Sequence, residues 1–220
     1  MDTPIVVSTR VLNEEHLAIL EGVNISLVEC DFISVSSIDF QISELNEFLL
    51  FTSQNAVRSV LKHKDIAVLK SKLSFCVGVK TKELLEKSGW KVVAWADYAK
   101  ELAPILIKSF STNSISFFNG NLRSEVLPDA FNSVNMKFNE FQVYQTDLTP
   151  IALSRKPHGI CFFSPSGVGS YLKENVITDE VCFCIGDTTA EALKNSTNKI
   201  ILAKQPTIEK TLQACVTYYK

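Results

Sequence analysis

One pattern recurs along this chain and limits its fold more than any other feature. A short β-branched or aromatic run is followed by a turn of Gly, Ser, Thr or Asn, and then by an amphipathic stretch. It is clear in EFLLFTSQNAVRSVL, LSFCVGVKTKELLEKSG, ISFFNGNLRSEVLPDAF, GICFFSPSGVGSYLKEN, VCFCIGDTTAEALKNS and KIILAKQPTIEKTLQAC. The opening PIVVSTR with EEHLAILEGV adds a further unit. Short buried strands that alternate with helices need crossover connections, and these lay the strands parallel with helices over both faces. The expected fold class is therefore α/β with parallel sheets.

Two places break the alternation. Residues 31–40 (DFISVSSIDF) are extended, with no helix before the next strand begins near Glu47. Residues 138–149 (FNEFQVYQTDLT) alternate apolar and polar and end at Pro150. The block between them is domain-sized, as are the flanking pieces taken together. The economical reading is one domain inserted into another: 1–34 with 149–220 as a discontinuous domain, 39–142 as the insert, and 35–38 with 143–148 as two linker strands. The alternative is a single doubly wound sheet, which would need about eight or nine strands.

Charge and composition remove several function classes. With 22 basic and 24 acidic residues the net charge is −2, which leaves no broad basic face for nucleic acid. No apolar run approaches the roughly 20 residues needed to span a bilayer, and MDTPIVVSTR lacks the basic start of a signal peptide. A cytoplasmic protein without a membrane or nucleic-acid partner is expected. Cys30, Cys161, Cys182 and Cys184 stand in apolar runs, no CxxC occurs, and His16, His63 and His158 are scattered. The cysteines read as core thiols, and neither a metal nor a redox site is expected. The lysine-rich LKHKDIAVLKSK reads as a solvated helix end and loop.

In open α/β sheets ligands bind beyond the C-terminal ends of the strands, where the polar turns of the repeating pattern lie. Ser53, Asn55, Thr81, Ser166, Thr188 or Thr189, and Thr207 each precede a helical stretch and can cap its free N–H groups. Glu191 follows Thr188 at the spacing of a capping box. The same helix starts can hold a carboxylate or phosphate, so capping and anion binding both stay open. No GxGxxG or GxxxxGK[ST] follows a strand, and SPSGVG is not a nucleophile elbow. An enzyme built this way would work mainly by positioning a substrate that is already reactive. Tyr144, in FQVYQT, could donate a proton or hydrogen bond; as a residue of an alternating strand it could equally be half-buried packing.

The motifs VVSTR, FTSQNAV, VGVKTKELLEKSGW, NGNLRSEVLP, VYQT, FFSPSGVGSYL, IGDTTAEAL and QPTIEKTLQA, taken in that order, resemble the uroporphyrinogen-III synthase family. Asp187 stands where the family often has proline, as does Val11 after STR. The resemblance implies two flavodoxin-like α/β domains, one inserted in the other, joined by a two-stranded β linker with the active site in the cleft. It implies hydroxymethylbilane as substrate, a linear tetrapyrrole bearing eight carboxylates, and no cofactor or metal. Water leaves the hydroxymethyl group, and the terminal pyrrole attacks the resulting azafulvene through its substituted α-carbon. A spiro intermediate then rearranges so that ring D is inverted.

Carried over by motif, Tyr144 becomes a supporting acid for loss of the hydroxyl. Ser53, Thr81, Asn121, Arg123, Ser164, Ser166, Gly167, Thr188 and Thr189 become candidate carboxylate contacts. Against them stand capping for the hydroxyls and a surface ion pair for Arg123. The bilane cyclises unaided to the unrearranged isomer, so the enzyme has to favour one carbon over its neighbour. A preference of about 3 to 4 kcal/mol is a few hundredfold, within reach of positioning alone. A monomer is expected. The competing class is a two-domain binding protein for a small polyanion, which would not need Tyr144.

Overall fold

The computed structural model describes residues 3–220 and carries these elements. The chain begins with β1 (Ile5–Ser8), α1 (Glu14–Ile19), β2 (Ser26–Glu29), β3 (Ile33–Ser37), β4 (Phe48–Phe51), α2 (Gln54–Val60), α3 (Ile66–Lys70) and β5 (Leu73–Val77). It continues with α4 (Val79–Lys87), β6 (Lys91–Ala96), α5 (Ala99–Phe110), β7 (Ile115–Gly120), α6 (Val126–Ser133) and β8 (Phe138–Leu148). It closes with β9 (Gly159–Phe162), α7 (Pro165–Glu174), β10 (Val181–Cys184), α8 (Asp187–Glu191), β11 (Ile200–Leu202) and α9 (Ile208–Tyr219).

The strands form two sheets, which leaves no single large doubly wound sheet among the described residues. The chain divides into two compact units, one holding the chain up to Ser34 with Asp147–Lys220, the other Val35–Thr146. In the first unit the order is β11-β10-β9-β1-β2, with every neighbouring pair parallel. That is the flavodoxin-like order, in which the chain reverses its direction of growth between β1 and β9.

The other sheet runs β3-β8-β7-β4-β5-β6. From β8 to β6 its neighbours are parallel, in the order of the dinucleotide-binding fold, with the reversal between β4 and β7. Edge strand β3 differs. Ile38 N donates to Val143 O and Thr149 N donates to Phe32 O, so the partners advance in opposite directions and the pairing is antiparallel.

Each sheet is apolar on both faces, the mark of a parallel sheet under two helix layers. Leu49, Phe51 and Phe118 pack with Ala56, Val57 and Val60 of α2 and with Leu85 of α4, while Leu50, Phe75, Ile115 and Phe117 face Leu102 and Leu106 of α5 and Phe131 of α6. Phe118 is stacked between Phe51 and Phe141, with ring centroids at 5.4 and 5.2 Å, which adds specific geometry to the area buried. In the first unit Ile160, Phe162, Cys182 and Cys184 share one face with Tyr171; Cys161 and Phe183 share the other with Leu212 and Cys215. Cys182 and Cys184 are two apart and do point the same way. Burial pushes both thiols up to about 12, as expected of inert core cysteines.

Two departures from the sequence reading are instructive. The lysine-rich stretch contains a helix, α3, because Leu69 is fully buried and its carbonyl accepts from the Trp90 indole at 3.0 Å. Leu69, with Ile66 packed against the same cluster, outweighs the surrounding charges. The pair β6 and α5 forms from KVVAWADYAKELAPILIKSF, where the turn, Asp97 and Tyr98, holds none of the residues of the recurring Gly/Ser/Thr/Asn pattern.

Candidate active site

The two reversal points locate the polar turns. In the second unit, β4 runs into Ser53 and β7 into Asn121, on either side of the β4–β7 reversal. In the first unit, β1 runs into Thr9, and β9 runs through Phe163 into Ser164. Ligands bind at such points because neighbouring loops diverge there and leave a crevice.

Ser53 caps α2, its hydroxyl accepting from Asn55 N at 3.0 Å. Asn55, read as a possible cap, lies inside the helix. Ser53 also neighbours the Tyr144 phenol. That phenol is half-buried against the Phe118 cluster, and burial pushes its pKa up while the Ser53 hydroxyl draws it back in part.

Thr81 does not cap α4. The cap is Gly78, whose φ of +89° suits glycine, and Thr81 is the third helical residue, with its N–H donating to Gly78 O. Its side chain is buried beside that turn.

Two candidates are already engaged. Asn121 Nδ2 donates to Thr146 O at 3.0 Å and Oδ1 accepts from Thr146 N at 2.8 Å. Arg123 forms a bidentate bond to Glu140, Nε to Oε2 at 2.5 Å and Nη2 to Oε1 at 2.9 Å, and Nη1 pairs with Glu125 at 2.6 Å. Those two carboxylates, through hydrogen bonds first, hold the guanidinium above its ordinary pKa. The surface ion pair weighed against a substrate contact is therefore present.

In the first unit the cap of α7 is Ser164, not Ser166. The Ser164 hydroxyl accepts from Gly167 N at 3.0 Å and lies 3.0 Å from Ser166 Oγ. A Cβ on Gly167 would sit 3.3 Å from Ser164 Oγ and 3.5 Å from Thr9 Oγ1, so this turn is packed as closely as glycine allows. Thr9 is a neighbour that helix-start reasoning passed over. It ends a strand rather than opening a helix, and its hydroxyl donates to Cys161 O at 2.9 Å. The available signal was a polar residue directly after the buried VVS.

Gly186 caps α8, which is a single short turn, and the Thr188–Glu191 capping box does not form. Thr188 is exposed. Thr189 is fully buried, and its hydroxyl has no hydrogen-bond partner. Thr207 caps α9 as read, accepting from Lys210 N.

No group of three or more His, Cys, Asp or Glu side chains among the described residues is placed to hold a metal ion. A cavity of about 790 Å³ opens in the first unit, lined by Lys156, His158, Asp179, Lys199 and Tyr219. It lies where β9, β10 and β11 begin, at the opposite strand ends from Ser164 and Thr189.

A family model for uroporphyrinogen-III synthase HemD matches residues 20–213. The chain belongs to the uroporphyrinogen-III synthase family. Its activity is the cofactor-independent cyclisation of hydroxymethylbilane in haem biosynthesis. Among solved structures, the uroporphyrinogen-III synthetase of Helicobacter pylori is 19% identical with a TM-score of 0.70, covering 98% of this chain and 99% of that one. A triple mutant of the Thermus thermophilus synthase is 14% identical with a TM-score of 0.71, covering 99% and 100%. The wild-type Thermus enzyme in another crystal form is 15% identical with a TM-score of 0.55, covering 97% of each chain. These likenesses speak to the shared fold. Among curated proteins, sequence comparison finds no match.

Proposed function

We propose that Tyr144 is the acid that assists departure of the bilane hydroxyl, and that the helix starts at Ser53, Thr81, Ser164–Gly167 and Thr188–Thr189 hold the pyrrole carboxylates. The observation that carries this reading is the Tyr144 phenol, half-buried against the Phe118 cluster and next to Ser53 beside a strand-order reversal. Burial keeps it protonated across the neutral range, which is the form that can donate. As the C–O bond breaks, the phenol proton passes to the departing oxygen, which leaves as water. The azafulvene that remains is electrophilic without further help. Binding then decides which pyrrole carbon reaches it.

For the carboxylates, free first-turn N–H groups and hydroxyls supply donors without any fixed cation. Ser164 and Ser166 present two adjacent oxygens, and Thr189 has a hydroxyl with no internal partner. Asn121 and Arg123 spend their polar groups inside the protein, so we assign them to shaping the site rather than touching substrate.

The inserted-domain reading, with residues 35–38 and 143–148 as linkers, stands as part of this proposal. So do a small-molecule partner, a monomeric working form and a cytoplasmic location. Six free thiols support the cytoplasmic location, and near-balanced charge supports a small-molecule rather than a nucleic-acid partner. No helix among the described residues is long and apolar enough to cross a membrane.

The test is to supply freshly generated hydroxymethylbilane, oxidise the products and separate the porphyrin isomers. Native protein should yield type III, and Tyr144→Phe should form it about ten- to a hundredfold more slowly. An unchanged rate for Tyr144→Phe would remove the phenol from the mechanism.

A further inference from the structure

Strands β7 and β8 pair in register from Ile115 with Phe138 through to Asn119 with Gln142, and there the register slips. The next partner of Gly120 is Tyr144, so β8 carries Val143 as one extra residue. A bulge of this kind re-aims side chains and is frequent beside active sites. Here it lets consecutive residues, Val143 and Tyr144, both pack into the Phe118 cluster, which an unbroken strand would forbid because its side chains alternate.

The residues opposite the bulge are fitted to it. The Tyr144 ring lies across Gly120 so closely that a Cβ there would collide with three of its carbons. Immediately afterwards, where β7 ends, the Asn121 carboxamide takes over the ladder. It bonds both the N–H and the carbonyl of Thr146, two residues past the tyrosine. On the other side of β8, Val143 O accepts from Ile38 N at 3.1 Å. The backbone is therefore held on both sides of Tyr144, and the ring rests on a seat with no side chain.

We propose that Gly120 and Asn121 are positioning residues for the cyclisation. Asn121 stitches β8 down beyond its bulge, Gly120 leaves the flat surface that sets the height of the ring, and together they aim the phenol. The proposal rests on the reading of Tyr144 as the acid. Neither residue needs to touch substrate, and each acts only through the tyrosine.

The experiment is a set of double-mutant cycles on the intact protein, with type III formation above the spontaneous background as readout. Gly120→Ala and Asn121→Ala are each made in the native and Tyr144→Phe backgrounds, with Asn121→Asp as a milder variant that keeps the acceptor for Thr146 N. In the native background each alanine variant should lower kcat about ten- to a hundredfold with KM little changed, since small misplacement of a catalytic group is costly. In the Tyr144→Phe background the further loss should be less than twofold. Tyrosine titration at 295 nm, taken as the difference from Tyr144→Phe, should show the phenol ionising at lower pH once Asn121 is replaced.

Equal losses in both backgrounds would overturn the proposal, because they would show a structural role that does not pass through Tyr144. Native rates in the Gly120 and Asn121 variants, with Tyr144→Phe still impaired, would overturn it while leaving the acid reading intact. Full activity of Tyr144→Phe itself would remove the acid reading and the proposal with it.

Discussion

Ser53 faces two neighbours at once: its hydroxyl accepts from Asn55 N at 3.0 Å to cap α2, and it stands next to the Tyr144 phenol. The phenol is pushed up first by burial and drawn back by that hydroxyl. An acid whose folded pKa lies above the ordinary 10.0 stays competent through neutral pH and is lost only as pH rises through the raised value. Type III formation should therefore lose its alkaline limb in Tyr144→Phe, and Ser53→Ala should move the limb to higher pH. A pH–rate profile of the three proteins checks this. The same sign holds for stability: the phenol's contribution is present below 10 and declines as pH climbs through the folded value.

Ser164 holds the first turn of α7 through Gly167 N. Ser164→Ala should cost about 1 kcal/mol of stability, the usual loss of a helix cap, measurable by urea unfolding. Ser166→Ala makes no cap bond to lose and should unfold close to native. If both hydroxyls hold substrate, KM should rise in each.

Leu50 is fully buried in the middle of β4, packed with Phe75, Phe117 and the α5 leucines. Leu50→Ala should destabilise the protein by about 2–5 kcal/mol, because the surrounding side chains cannot collapse into the space. Chemical denaturation would register the loss as a lower midpoint with little change in slope.

Glu180 is 2% exposed, yet its pKa is lowered. Desolvation raises it, and the N–H groups of Thr178, of Glu180 itself and of Asp179, together with the Lys156 charge, more than offset that; the Thr178 and Asp179 N–H groups donate at 2.7 and 2.8 Å. A depressed carboxylate stabilises the fold above its ordinary value of 4.5, and that contribution is lost as pH falls through the folded value. Thermal unfolding between pH 3 and 7 should show a shallower acid decline for Glu180→Gln than for native protein.

The strand-and-helix units were legible because they depend on local spacing. VCFC and FLLF are apolar throughout, and a strand of that kind has to be covered on both faces. The hydroxyls at the strand ends were legible too, although which one caps each helix was not. Ser164 displaced Ser166 and Gly186 displaced Thr188, because a cap is chosen by backbone angle, and that depends on where the neighbouring strand delivers the chain. Charged candidates were the least legible. Nothing in NGNLRSE reveals that Glu140 lies 2.5 Å from Arg123, since that carboxylate belongs to a strand paired only after folding.

The sequence by itself determined the class of fold, the alternation of strands and helices, the family and the chemistry the family performs, because all of these rest on residue type and order along the chain. Tertiary structure alone decided the strand orders, the partners of Asn121 and Arg123, and the slip that brings Tyr144 onto Gly120. A one-residue shift between two strands reverses which side chains share a face, and that register is set by packing between segments far apart in the chain.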